Sequence, residues 1–240
     1  MNKVYTVDDD WLKFNDTFNE EINNYNNIIK EHTKIDLGWD FNKPLDLSNK
    51  QNLTHLKLSD YFNQELNLEN NINLTHLELG RFTTNVISVP NSLIYLSINH
   101  IYNKYIDISK IKHLKLNVNN IPLMNILTNS LEILELDEKF VLELINLPNS
   151  IKQVIFSLDS QYDESLDNLP NSVEYLKLPQ DYLLKIKKFP KNLKKIVCVE
   201  DYEYIDDFKN YEVETYEYTE FYQNDYYDRM FPDDGIIIYS

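Results

Sequence analysis

Three histidines and two tyrosines are the residues whose types and spacing could do chemistry in this chain. His55 and His76 lie 21 residues apart, each inside the phrase Asn-Leu-Thr-His-Leu, and Tyr95, His113 and Tyr175 recur at comparable phases further along. Imidazole is a common ligand for divalent metals and titrates near neutral pH. Placed on adjacent strands, His55 and His76 could share a metal ion. With Tyr95, His113 and Tyr175 they could instead form a polar strip that binds a protein partner, or remain a plain solvated surface. No cysteine or carboxylate shares their phase, although Glu78 is near.

Other chemistry finds little support. Three glycines cannot build a phosphate-cradling loop, and neither a nucleophile elbow nor a His-Glu-x-x-His zinc motif is present. The single cysteine, Cys198, excludes a disulfide framework and a cysteine-based zinc site. Its place in an alternating apolar run reads as a small buried hydrophobe. Catalytic residues, cofactors and a resident metal are therefore not expected. The 240 residues carry 39 acidic and 23 basic side chains, a net charge of −16, which argues against nucleic acid and anionic membrane partners. No apolar run approaches the roughly 18 to 20 residues of a membrane span, and the first ten residues lack the apolar segment of a secretory signal. A reducing, cytoplasmic compartment is the expectation. The oligomeric state is not legible.

What positions the candidate residues is a repeat. The pattern apolar-x-x-apolar-x-apolar occurs eight times, beginning at Leu53, Leu74, Leu93, Ile111, Leu131, Ile151, Val173 and Leu193, with a mean spacing of about 20 residues. The frame extends back to His32, Ile35 and Leu37 and forward to Val213, Tyr216 and Tyr218, giving up to ten strands. Alternation at the end of each unit predicts a strand with one buried face, and this period is that of a leucine-rich repeat. Stacked units make a parallel sheet on the concave side and one continuous core. Twenty residues leave no room for a full helix, so extended chain and 3₁₀ turns are expected on the convex side. Nine residues after the first apolar position stands an aromatic, Phe41, Phe62, Tyr102, Phe140, Tyr182 or Tyr202, with Tyr162 in the longer unit and breaks at Thr83 and Asn120. These rings read as a stacked internal spine. On the outward strand positions, Lys112, Glu132, Lys152, Glu174, Lys194 and Glu214 alternate in sign, and Lys57 falls beside Glu78 and Lys115 beside Glu135. Opposite charges on neighbouring strands fix register.

Leu147-Pro148-Asn149-Ser150, Leu169-Pro170-Asn171-Ser172, the Leu-x-x-Leu-x-Leu strands and the segments Phe41-Asn42-Lys43-Pro44-Leu45 and Phe62-Asn63-Gln64-Glu65-Leu66 resemble the FNIP repeat, a leucine-rich-repeat variant of social amoebae and giant viruses. The likeness covers roughly residues 32 to 220. It implies a leucine-rich-repeat solenoid of the horseshoe class, mostly β and coil, acting as a protein-binding scaffold with a host protein or virion component as partner. The absence of alanine and the two arginines against 21 lysines fit an AT-rich source. Some members carry an N-terminal F-box that recruits a ubiquitin ligase; residues 1 to 30 show no such pattern.

The organisation expected is an N-terminal helical cap over residues 1–31, repeats over 32–220 and a C-terminal cap over 221–240. Trp11, Phe14, Phe18, Ile22, Tyr25 and Ile29 are spaced as one helical face, with Asp8 to Asp10 as N-cap. That stripe covers the first repeat or docks a ubiquitin-transfer partner. Residues 200–240 hold 13 acidic and 2 basic residues and nine of the 18 tyrosines. They read as an ordered, acidic β cap ending in a hairpin at 230–239, and as a second surface where a basic partner could dock.

Overall fold

The Leu-x-x-Leu-x-Leu phrase builds one strand per repeat, and the strands stack in parallel. The structure, a computed structural model, describes residues 4–99, 102, 104–117, 127–138 and 140–218. The hairpin expected at 230–239, the cap at 221–240, and Asn103 and Asn120 lie outside the described residues.

Among the described residues, nine strands follow the expected frame and a tenth, the last, joins them in a shifted register. They are β3 (Lys34–Asp36), β4 (His55–Lys57), β6 (His76–Glu78), β8 (Tyr95–Asn99), β9 (His113–Asn117), β10 (Ile133–Leu136), β11 (Gln153–Phe156), β12 (Tyr175–Lys177), β13 (Lys195–Val199) and β14 (Glu212–Tyr216). They pair in that order, all parallel. A short second sheet joins β5 (Leu66–Asn67) to β7 (Ile87–Ser88). Among the described residues, the rest of the outer chain is extended or turned, as a 20-residue period requires.

Each unit contributes two inward strand residues, such as Leu56 and Leu58 or Leu77 and Leu79, and the apolar residue before the strand, such as Leu53 or Leu74; all are buried. Burying one leucine side chain is worth about 1.5–3 kcal/mol, so each unit gains only when its neighbours cover it. Behind the strands the aromatic spine stacks as expected. Phe41 and Phe62 lie 6.1 Å apart at 2°, and Phe140, Tyr162, Tyr182 and Tyr202 continue at 6.2, 6.4 and 6.3 Å. Where Thr83 breaks the column, its buried hydroxyl donates to the Phe62 carbonyl at 2.9 Å.

The turns are tied to the preceding unit. Ser92, Ser150 and Ser172 donate to the carbonyls of Leu74, Leu131 and Ile151 at 2.6–2.7 Å. An asparagine ladder does the same on the outer side. The Asn42, Asn63 and Thr84 amides donate to the side-chain oxygens of Asn19, Asn42 and Asn63. Gly80 is required by close approach, since a Cβ there would collide with the Ser59 backbone carbonyl.

Two expectations need correction. The N-terminal helical element is shorter than the spacing predicts: a 3₁₀ turn at Ile22–Tyr25 leads into α1 (Asn26–Glu31). Before it, β1 (Tyr5–Asp8) and β2 (Trp11–Phe14) form an antiparallel hairpin whose second strand pairs in parallel with β3. Asp9 and Asp10 have φ of 45° and 68°, so they make the tight turn rather than an N-cap. The last unit is also out of the expected frame. Val213 pairs with Ile196 instead of standing 20 residues after Leu193 in the same slot, and Tyr216 pairs with Val199. The 3₁₀ turn at Ile205–Phe208 packs Phe208 on Tyr202 and shortens the return.

Candidate functional site

Residues at the first outward strand position form a single column across the solvent face of the sheet. From β2 to β13 it reads Trp11, Lys34, His55, His76, Tyr95, His113, Ile133, Gln153, Tyr175 and Lys195. The β-sheet spacing of about 4.8 Å suits ring stacking between neighbouring strands. His55 and His76 stack at 4.1 Å and 9°, His76 and Tyr95 at 5.3 Å and 27°, and Tyr95 meets His113 edge-on at 4.8 Å. Trp11 reaches over Lys34 to contact His55 edge-on at 5.8 Å. Four of the five residues expected at the site are thus one contiguous ladder of half-buried rings. Tyr175 shares the column but stands three strands from His113, beyond Ile133 and Gln153. Trp11, expected in the helical cap, extends the ladder from β2.

Hydrogen bonds orient the imidazoles. The Thr54 hydroxyl lies 2.9 Å from His55 Nδ1 and 3.1 Å from the Thr33 carbonyl, which already accepts two backbone N–H groups. Thr75 repeats the arrangement, 2.8 Å from His76 Nδ1 and 3.2 Å from the Thr54 carbonyl. Both rings are thereby held with Nδ1 against the strand and Nε2 turned outward. Burial, then His76 and Lys34, lowers the His55 pKa to about 4; burial, then His113 and Lys34, lowers that of His76. Both rings are neutral at pH 7.

His113 is held by a carboxylate. Its Nε2 lies 3.1 Å from Glu135, whose ionised carboxylate only accepts, so Nε2 carries the proton. The His113 hydrogen bond first, and Lys115 next, hold Glu135 down to about 2 against the opposing effect of burial. Lys115 bridges Glu135 at 3.0 Å and Asp137 at 3.3 Å.

The charge columns follow expectation except at three points, one of them Lys152 and Glu174, which form no ion pair with each other. Lys112–Glu132, Glu132–Lys152 and Glu174–Lys194 pair at 3.7, 3.2 and 2.5 Å. Glu214 pairs instead with Lys195 at 2.6 Å, because of the shifted last strand. Lys57 sits in register with Glu78 but bonds Asp36 at 3.1 Å. That leaves the Glu78 carboxylate half-buried without an ion pair or hydrogen bond among the described residues. Burial raises its pKa, with Lys57 and Lys115 pulling the other way.

The metal reading of the histidine pair is not favoured by this geometry. Near-parallel stacked rings point their outer nitrogens the same way, side by side, whereas chelation needs them to converge. Among the described residues no group of three or more His, Cys, Asp or Glu side chains could hold a metal ion. Cys198 is in the core, where burial raises its thiol to about 11. No helix among the described residues is long and apolar enough to cross a membrane.

The sequence matches no protein-family model and no curated protein. In structure the chain is similar to CroV588, a circular leucine-rich-repeat protein of a giant virus, Cafeteria roenbergensis virus. The likeness has a TM-score of 0.54 and 24% identity, and covers 83% of this chain. The chain spans 38% of the length of that protein. At this identity the likeness shows the fold: the chain is a leucine-rich-repeat solenoid.

Proposed function

We propose that the chain is a non-enzymatic protein-binding scaffold whose contact surface is the ring ladder on the concave sheet, made by Trp11, His55, His76, Tyr95 and His113, with Tyr175 further along. The observation that carries this is the contiguity of five half-buried rings on the solvent face of a rigid parallel sheet. Aromatic rings and imidazoles give large contact area at little conformational cost, and solenoids present such strips to extended partners. Partner surfaces of this composition gain most from a few desolvated aromatic anchors. A host or virion protein remains the partner class suggested by the amoebal and giant-virus resemblance.

The adaptor reading keeps only Trp11 and Tyr25, both half-buried, of its apolar stripe. Phe14, Phe18, Ile22 and Ile29 are core residues, and Phe14 and Phe18 stack 4.2 Å apart. They cannot be offered to a ubiquitin ligase without opening the first repeat.

The test is affinity capture from host lysate with three baits: the intact chain, a Tyr95→Ser/His113→Ala variant, and a Leu183→Ser control at a convex position that is 76% exposed. Support is a protein retained by the intact chain and the control and lost by the ladder variant. Equal retention by all three contradicts the reading.

A further inference from the structure

The outer side of the solenoid carries a groove that the repeat itself opens. Leu66, Ile87 and Ile106 stand at the same place in successive units, thirteen residues after Leu53, Leu74 and Leu93. Seven residues follow Leu66 before the next unit begins at Leu74, five follow Ile87, and only four follow Ile106 before Ile111. The first two segments have chain enough to run side by side as β5 and β7. At Ile106 the chain turns back toward the main sheet sooner and forms no strand beside β7. A groove of about 440 Å³ results, lined by Ile87, Ser88 and Val89 and by Tyr105, Ile106 and Asp107 of the next unit.

In this groove β7 keeps an open edge. The Leu66 and Leu68 amides donate to the Val86 and Ser88 carbonyls at 3.2 and 2.9 Å, so those two residues face β5. Main-chain groups alternate sides along a strand, which turns Ile87 and Val89 toward the groove. Among the described residues neither the Ile87 carbonyl nor the Val89 amide makes a hydrogen bond, and the main chain of 105–107 supplies no partner. A further parallel strand satisfies both with one residue, its N–H on the Ile87 carbonyl and its C=O on the Val89 amide.

The walls select the side chains of that strand. Val86 is 49% exposed and Tyr105 78%, so the groove offers apolar surface to cover. The charged side chains lining it, Glu69 and Asp107, are both acidic. Hydrogen bonds from the Ser109 amide and then its hydroxyl hold Asp107 below the ordinary carboxylate range, so its charge persists. Lys104 and Lys110 are near in sequence but do not line the groove.

We infer that the groove beside β7 is a strand-addition site for an extended segment of a partner protein, apolar at its centre and basic at its ends. This surface is separate from the concave ring ladder and does not depend on it.

The experiment uses the full chain, read by residue-resolved amide hydrogen exchange. The probe is the peptide acetyl-Lys-Thr-Val-Thr-Val-Thr-Lys-amide, whose lysines and valines share one face when extended. Saturating probe should slow exchange of the Val89 amide at least about tenfold. Two N-methylated forms are compared, one blocked at both valines and one at the three threonines. One should lose binding and the other keep it, since only alternate amides enter a ladder. Replacing the lysines of the probe with glutamate should weaken binding at least about tenfold, and Glu69→Lys should move the preference toward the glutamate form. No protection of Val89, equal binding by the two methylated forms, or equal binding by the lysine and glutamate forms overturns the assignment. Protection of Val89 at high concentration of the chain alone, with a doubled mass in sedimentation, places a second copy in the groove and overturns it too.

Discussion

The imidazoles of His55 and His76 lie face to face, 4.1 Å apart and 9° from parallel, on neighbouring strands. Two stacked cations in that geometry would repel, and both rings are held below their ordinary pKa. The linkage follows. Above pH 6.5 the rings are neutral in both the folded and the unfolded chain, and stability is full. As pH falls from 6.5 toward 4, the unfolded chain takes up protons first and stability is lost. Discounted for solvent screening, the loss at His55 is about 1 kcal/mol. Glu78, with its raised pKa, has the opposite slope, so the comparison must be made against a variant. Urea unfolding of His55→Phe/His76→Phe should show a flatter dependence on pH between 6.5 and 4 than the unaltered chain. Superimposable profiles would contradict the assignment.

The Glu135 cluster predicts a second, more acidic limb. Its folded pKa of about 2 lies below the ordinary carboxylate value, so its contribution is present above about pH 4.5 and is lost as pH falls toward 2. Glu135→Gln should remove part of the acid limb and leave the pH 6.5 to 4 limb in place. Thermal melts at pH 5 and pH 3 check this; an unchanged difference between the two melts goes against it.

The ring spine should dominate stability. Phe62 is fully buried and stacks on Phe41, and its carbonyl receives the Thr83 hydroxyl. Phe62→Ala is expected to cost about 3–5 kcal/mol. Thr83→Val removes only the hydrogen bond and should cost about 1–2 kcal/mol. Denaturant unfolding measures both, and a smaller loss for Phe62→Ala than for Thr83→Val would deny the spine its role.

Gly80 is a test of strand-edge packing. Its missing Cβ admits the Ser59 backbone carbonyl, and backbone cannot rotate away as a side chain can. Gly80→Ala should destabilise by about 2 kcal/mol or more. A variant as stable as the parent would show that the two turns are further apart.

Much of this architecture is legible in the residues because a solenoid repeats its instructions. Leu53, Leu74 and Leu93 announce the same slot in turn, and one period error would shift every later unit. The ladder His55, His76, Tyr95 and His113 follows from that frame alone, since the register places equal positions side by side. The ends escape the frame because they repeat nothing. Trp11 and Phe14 are three apart, as on a helix, yet on β2 Leu12 and Phe14 enter the core while Trp11 turns to the sheet's solvent face. The helical reading passed over Leu12, which is the alternating partner of Phe14. Val213 fell out of register because the 3₁₀ turn at Ile205–Phe208 uses fewer residues than the outer segments before it. The orientation of the imidazoles and the unpaired carboxylate of Glu78 depend on threonine and aspartate contacts across repeats, which spacing alone does not rank.

The claim on which the account turns is that a partner sits on the ring ladder. Site-specific photo-crosslinking reads this contact directly, with a benzophenone side chain placed at position 95 in one bait and at position 183 in another. The account predicts one discrete adduct with the captured protein from position 95 and none from position 183. Adducts from position 183 alone would place the partner on the convex side and contradict it.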